Sequence, residues 1–364
     1  MPQTIDVAYL DNWVVGATLL GTGGGGNPKV GYLMSKQAIE QYGSVELLSI
    51  DELPESAVAG SISMMGAPSV SMEKIPNGQE FQVVIDTYQR YENTKLDAIF
   101  PIEAGGINSL IPLVAAATLR LPMLDGDAMG RAFPQLDMVT PTLHDVTYSP
   151  VVLTHEKLDP VIITAKKPRD LETYARHLTL SFGGSAIMAE LFLPKVVVKK
   201  FLIRDVVTKS HDIGAILRHS ETPIADLQAR HGAHHLFDGK IIDLQRFYEG
   251  GFNKGTVFVQ SFDGQNNYQI DLQNENLIAR RDDEVLAVVP DLIAMLDYQT
   301  KLPLTTETLK FGQRITVIAL PADEQWRTKA GIELVGPQAF GYDFPYTPVE
   351  VLAQQRQEKN GGRP

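Results

Sequence analysis

The stretch "LDAIFPIEAGGINSLIPLVAAATLRLPMLDGD", residues 96–127, reads as strand, glycine loop, helix, strand and acidic loop in one pass. "LDAIFPI" (96–102) is a short apolar strand. "NSLIPLVAAATLR" (108–120) is a nearly all-apolar buried helix, with Asn108 or Ser109 as its cap. "LPML" (121–124) is a second strand. A strand, a helix and a strand in this order predict two parallel strands joined by a crossover helix. The same rhythm continues upstream. "VELLSI" (45–50) and "AGSISMM" (59–65) read as strands, and "GQEFQVVIDTYQRYEN" (78–93) has helical spacing. Alternation of this kind predicts a mainly parallel sheet covered on both faces, a three-layer α/β domain.

Further upstream lies "GATLLGTGGGGNPKVGYLM" (16–34), with four consecutive glycines, Gly23 to Gly26. Glycine loses more backbone freedom on folding than any other residue, so such a run is costly unless backbone must turn sharply or approach something closely. Gly21, Gly23 and Gly26 satisfy G-x-G-x-x-G. A dinucleotide fingerprint needs a strand before the loop. Here "DNWVVGATLL" (11–20) has helical spacing with Asp11 as a cap, and Asn27 and Pro28 suit the start of a second helix ending at Gly43. The context therefore argues against nicotinamide or flavin binding. Two readings stay open: tight backbone packing, or an anion or polar ligand held by N–H groups ahead of a helix.

After about residue 166 the pattern changes. "PKVVVKKFLIRDVV" (194–207) and "GTVFVQSFDGQNNYQIDLQNENLIAR" (255–280) are rich in β-branched residues with period-two alternation, and Asp263-Gly264 sits at a predicted hairpin turn. "RITVIAL" (314–320) is a further strand, and "DIGAILRHSETPIADLQARH" (212–231) a helical interruption. The expectation is an α/β domain over 1–166 and a β-rich, barrel-like domain with some helix over 167–364, with a polar tail that frays.

Composition narrows function by exclusion. The 364 residues suffice for two cores, with 44% apolar and 21% charged residues. Lys plus Arg number 32 and Asp plus Glu 44, a net charge of −12, which repels nucleic acid and anionic membrane surfaces. No cysteine is present, so no disulfide, thiolate metal site or cysteine nucleophile is available. The start "MPQTIDVAYL" lacks a basic secretory leader, and "IPLVAAATLRLPML" is broken by Arg120 and Pro122. The expected place is the cytoplasm.

Three loops at the carboxyl ends of the predicted strands carry candidate chemistry, because open α/β sheets bind ligands there. They are "MMGAPSVSMEK" with Glu73, "PIEAGGINS" with Glu103, and "LDGDAMGRAFP" with Asp125 and Asp127. Asp125 and Asp127, two apart on extended chain, point to one side and suit a general base or a divalent cation. The competing reading is that one caps a helix and the other pairs with Arg131. Arg131 could instead receive a substrate carboxylate. His144 could reach the same edge as base or ligand, or be structural. His231, His234 and His235 have a zinc-like spacing only if helical, which Gly232 weakens. Asn274, Glu275 and Asn276 in a row read as a strand end or as a loop over a site, and Tyr342 and Phe344 as core or lid.

"LLGTGGGGNP", "PIEAGGINSLIPLVAAA", "LPMLDGDAMGRAFPQLDM", "LFDGKIIDLQR", "GGFNKG", "LQNENLIAR", "VVPDLIAMLD" and "GPQAFGYDFPY" together resemble the S-methyl thiohydantoin desulfurase family from about residue 10 to about residue 350. The resemblance implies an N-terminal three-layer α/β domain, a C-terminal barrel-like domain, and hydrolytic loss of a sulfur substituent from a hydantoin-like ring. Members often accompany hydantoinase and oxoprolinase genes. Where many members carry Asp, this chain has Asn27.

The resulting expectation is a small-molecule hydrolase without a required cofactor. Asp125, Asp127 and Glu103 are its catalytic carboxylates. Gly23, Gly24, Gly25, Gly26, Asn27, Asn108 and Arg131 bind the substrate. Alternatives stay open: an accessory ligand-binding subunit of a hydantoinase-type system, or a metal-dependent amidohydrolase using Asp125, Asp127 and His144. A homo-oligomer or a hydantoinase-type partner is compatible with either.

Overall fold

The computed structural model describes residues 3–66, 78–146 and 148–361. The chain divides into two compact units, Met1–Ala17 with Gly25–Gly214, and Thr18–Gly24 with Ala215–Pro364.

The first unit opens with β1 (Gln3–Ile5) and α1 (Val7–Leu20), the last three residues of which belong to the second unit. The helix starts earlier than Asp11 because Asp6 Oδ1 accepts the Tyr9 N–H at 2.8 Å, the bond of an N-cap. Next come α2 (Pro28–Tyr42), β2 (Val45–Leu48), β3 (Val58–Gly66), α3 (Glu80–Glu92), β4 (Ala98–Phe100), α4 (Ile111–Leu119), β5 (Met123–Leu124) and β6 (Gly126–Asp127). They are followed by α5 (Thr140–Leu143), β7 (Val151–Thr154), β8 (Val161–Ile163), α6 (Pro168–Ser181), β9 (Ser185–Pro194), α7 (Lys195–Phe201), β10 (Ile203–Arg204) and α8 (Val206–His219).

The eight-stranded sheet has the order β1-β2-β5-β4-β3-β9-β7-β8. β2, β5, β4 and β3 run parallel, as the strand–helix rhythm predicts. β1, β9, β7 and β8 pair antiparallel, so the sheet is mixed rather than mainly parallel. β9 enters the sheet from residues well beyond the βαβ stretch, and an antiparallel neighbour needs no crossover helix. The apolar core places Trp13, Leu10 and Ile99 at zero exposure. Each such large side chain contributes about 1.5–3 kcal/mol on burial.

One expected strand is a helix. "KVVVKKF" forms α7, although valine costs about half a kcal/mol per position in helices. Tertiary bonds outweigh that preference. The buried Lys195 Nζ donates to the carbonyls of Asp51 and Leu53 at 3.2 and 2.6 Å, and Val198 and Phe201 bury one face. α1 and α8 touch backbone to backbone. A Cβ on Gly16 would meet Ser210 O at 1.7 Å, and one on Gly214 would meet Asn12 O at 1.8 Å.

The second unit carries α9 (Pro223–His231) and a seven-stranded antiparallel sheet. Its strands are β11 (His234–Glu249), β12 (Phe252–Gln260), β13 (Asn267–Gln273), β14 (Glu275–Arg281), β15 (Glu284–Val288), β16 (Leu292–Asp297) and β17 (Arg314–Leu320). The order β15-β14-β13-β12-β11-β17-β16 has two ends, so the expected barrel is a curled half-barrel. Asp263 and Gly264 form the β12–β13 turn as the sequence predicts, with Ser261 N–H donating to Asn266 O at 2.9 Å and Gly264 at φ +73°. Short helices α10 (Glu324–Arg327), α11 (Lys329–Val335) and α12 (Val349–Gly361) complete the unit. The tail expected to fray is therefore helical as far as Gly361. Buried Asp291 ties these parts together. It accepts from Arg327 Nη2 at 2.7 Å, Tyr346 Oη at 2.9 Å and the Val349 N–H at 2.8 Å.

Candidate functional site

The carboxyl ends of the parallel strands in the first unit gather three loops. The Ala128 N–H donates to Ile102 O at 3.1 Å, joining the loop after β5 to the loop after β4. Asn108 joins the latter to the end of β3. Its Oδ1 accepts the Met64 N–H at 2.9 Å, and its Nδ2 donates to Met64 O at 3.2 Å. Gly25 joins the same edge, because Gly25 O accepts the Ile107 N–H at 2.7 Å. The part of the loop after β3 that holds Pro68 and Glu73 lies outside the described residues.

Glu103 lies in the loop that follows β4 at this edge. It is buried, and its Oε1 accepts Asn108 Nδ2 at 2.7 Å. The Ser109 hydroxyl accepts the Gly105 N–H at 2.9 Å and donates to Glu103 O at 3.3 Å, which fixes the backbone turn. Asn108 and Ser109 are thus occupied by the loop, and α4 takes Leu110 as its N-cap instead. Burial pushes the Glu103 carboxyl up from 4.5 to about 7. Asn108, the Phe133 backbone and the Arg131 guanidinium act the other way, while the charge of Glu190 adds to the rise. A carboxyl that titrates near neutrality can exchange protons with a substrate at physiological pH.

The aspartates have other partners. Asp125 Oδ1 accepts the N–H groups of Val207 and Thr208 at 2.9 and 3.0 Å, and its Oδ2 accepts the Thr208 hydroxyl. It therefore caps α8; burial pushes its carboxyl above the ordinary value, while the Thr208 and Val207 donors act the other way. Asp127 is fully buried, and its Oδ1 accepts the N–H groups of Met129 and Gly130 at 3.0 and 2.6 Å. Arg131 is also fully buried. Its Nε donates to Ala132 O at 2.9 Å, and its guanidinium lies 4.5 Å from the Phe133 ring centre. His144 ends α5 and is exposed. Among the described residues no three His, Asp or Glu side chains gather as a metal-holding group, so Asp125, Asp127 and His144 are not brought together as one. His231 closes α9 and His234 opens β11, with Gly232 left-handed between them, so the zinc-like helical spacing is absent.

The glycine run is shared between the units. Gly23 and Gly24 belong to the second, where Gly23 O accepts the Thr306 N–H at 2.9 Å and a Cβ on Gly24 would meet Glu275 Oε1 at 1.9 Å. Gly25 and Gly26 belong to the first. A Cβ on Gly25 would meet Gly105 Cα at 2.4 Å, and one on Gly26 would meet Ile107 Cγ2 at 2.2 Å. All four glycines allow close approach of protein to protein. Asn27 caps α2, with Oδ1 accepting the Lys29 N–H at 2.9 Å.

A further buried acid was not among the sequence candidates. Glu190 on β9 is fully buried, and it lies opposite Ser61 on β3 and Val151 on β7. Its Oε1 accepts the Ser63 hydroxyl at 2.6 Å, and its Oε2 accepts the Tyr148 hydroxyl. Burial pushes it up to about 7, while the two hydroxyls favour its charged form. The available signal was one glutamate in the apolar run "SAIMAELFLP", and the alternate serines of "SISMM".

Two family models match the chain: "S-Me-THD-like, N-terminal domain" over residues 8–165, and "S-Me-THD-like, C-terminal domain" over residues 166–349. β9 and its Glu190 fall in the second match while completing the sheet of the first unit. No curated protein matches. A crystal structure of a protein from Chromobacterium violaceum has the same fold, with a TM-score of 0.81 at 20% identity over 95% of this chain and 100% of that one. Among the described residues no helix is long and apolar enough to cross a membrane.

Proposed function

From the premise that the chain belongs to the S-Me-THD-like family, we propose that it is a hydrolase that removes a thiol from an S-methyl thiohydantoin-like ring. The observation that carries this reading is Glu103. It is a buried carboxyl at the carboxyl edge of the parallel strands, held by Asn108 and titrating at about 7.

The ring carbon between two nitrogens is amidine-like and electrophilic. Glu103, as carboxylate, takes one proton from water as the water oxygen bonds to that carbon and the carbon–nitrogen double bond opens onto nitrogen. In the tetrahedral intermediate that nitrogen pair re-forms the double bond and the carbon–sulfur bond breaks. The departing sulfur takes the proton from Glu103 and leaves as a thiol. The remaining hydroxyl proton shifts to the ring nitrogen, leaving a carbonyl. Water supplies the oxygen, and no oxidant or reductant is consumed.

Asn108 fixes the orientation of the base, and Arg131 favours its charged form. Gly25 and Gly26 pack against Gly105, Gly106 and Ile107, and so fix the loop that carries Glu103. Asp127 shapes the loop beside it, and Asp125 anchors that loop to α8. The test is purified protein with an S-methyl thiohydantoin and a thiol assay. Stoichiometric methanethiol with appearance of the hydantoin supports the reading. Ring binding without thiol release assigns the chain to an accessory role instead.

A further inference from the structure

Two fully or nearly buried acids in one unit need a reason, because an unpaired charge in such surroundings is costly. Glu103 and Glu190 are joined by a continuous run of contacts. Glu103 Oε1 meets Asn108 at 2.7 Å, Asn108 clamps both backbone groups of Met64, and the preceding residue Ser63 donates to Glu190 Oε1 at 2.6 Å. Tyr148 closes the far end on Glu190 Oε2. Neither hydroxyl is spare: both are buried and directed at the carboxyl.

We propose that Glu190, clamped between the Ser63 and Tyr148 hydroxyls, is a positioning residue for Glu103: its proton occupancy decides whether Glu103 is charged and able to accept a proton. The role rests on the reading of Glu103 as the base. The groups facing Glu190 are Tyr148, Tyr88 and Glu103, while Glu172 and Asp137 act on Tyr148 and Arg131 acts on Glu103. Like charges at Glu190 and Glu103 oppose each other, so the charged form of one favours the neutral form of the other. The two hydroxyl donors favour the charged form of Glu190, and near neutrality that charge adds to the burial that already raises Glu103.

Infrared difference spectroscopy of the Glu103 carboxyl against pH, in substrate-free protein, tests this. The band is assigned by its loss in Glu103→Gln. Glu190→Gln removes the charge, and Tyr148→Phe removes a donor and makes Glu190 easier to protonate. Both should lower the Glu103 midpoint, by about half a unit to one unit. An unchanged or raised midpoint overturns the proposal, since a merely structural role for Glu190 would leave the titration of Glu103 in place. Should Glu190→Gln fail to fold, Tyr148→Phe decides alone. No substrate is present, so this outcome is independent of thiol release, and failure here is distinct from failure of the desulfurase reading.

Discussion

The hydroxyl of Ser63 donates to Oε1 of Glu190 at 2.6 Å, although the two residues lie 127 apart in the chain. The bond crosses from the last parallel strand, β3, to the antiparallel strand β9 beside it. It marks the point where the mixed sheet joins the candidate base at the strand ends to a second acid inside the fold.

The first expectation concerns Glu103. Glu103→Gln keeps size and one acceptor but removes the basic oxygen. Thiol release should fall by about 10²–10⁴-fold, with melting behaviour retained. In the wild type, kcat/KM should rise with pH through about 7, because the base must be deprotonated to act. Steady-state kinetics against pH check both. A wild-type profile flat between pH 5 and 8 would remove Glu103 from the proton transfer.

Asp125 should behave as a structural residue. Asp125→Ala strips the N–H groups of Val207 and Thr208 of their acceptor, and should cost about 0.5–2 kcal/mol of stability. Asp125→Asn keeps the capping oxygen and should lose less, with turnover retained. Denaturant melts paired with kinetics separate the roles. Loss of turnover in a fully stable Asp125→Asn would return Asp125 to the chemistry.

Stability should depend on pH through the buried acids. Glu103 and Glu190 titrate at about 7 when folded against 4.5 ordinarily, so between those values the native state binds more protons than the unfolded state. Their contribution is fully present below about 4.5 and is lost as pH rises through about 7, on the order of 3 kcal/mol each. Glu190→Gln removes one of the two groups. The stability of the wild type relative to this variant should therefore fall from pH 5 to pH 8. Urea melts of both proteins across that range measure the difference, and a constant difference would contradict the assignment.

Gly25 should tolerate no side chain. A Cβ there would meet Gly105 Cα at 2.4 Å, at φ +73°. Gly25→Ala should destabilise by about 1–3 kcal/mol through overpacking, with a further strain cost of about 1 kcal/mol. Gly341 also has positive φ, at +85° in the left-handed region, but nothing lies within 4 Å of its Cβ position. Gly341→Ala should therefore show the strain cost alone. Equal losses in the two variants would show that Gly105 yields readily.

What the residues determined by themselves is local. The strand, loop, helix and strand of residues 96–124 are legible because periodicity and breakers act over a few neighbours. So are the start of α2 at Asn27-Pro28, the turn at Asp263-Gly264 and the strand Arg314–Leu320. The family resemblance is equally legible, since its motifs are contiguous. Only the tertiary structure decided which acids are buried and which partners hold them. Asp125 became a cap because Val207 and Thr208, 82 and 83 positions away, arrive with helix-terminal N–H groups. Glu190 became a buried acid because β9 enters beside β3 and brings it to Ser63. "KVVVKKF" became helix because Lys195 found carbonyls near residue 50. In each case the deciding energy is desolvation or a hydrogen bond to a partner remote in the chain, which no local pattern of the residue itself encodes.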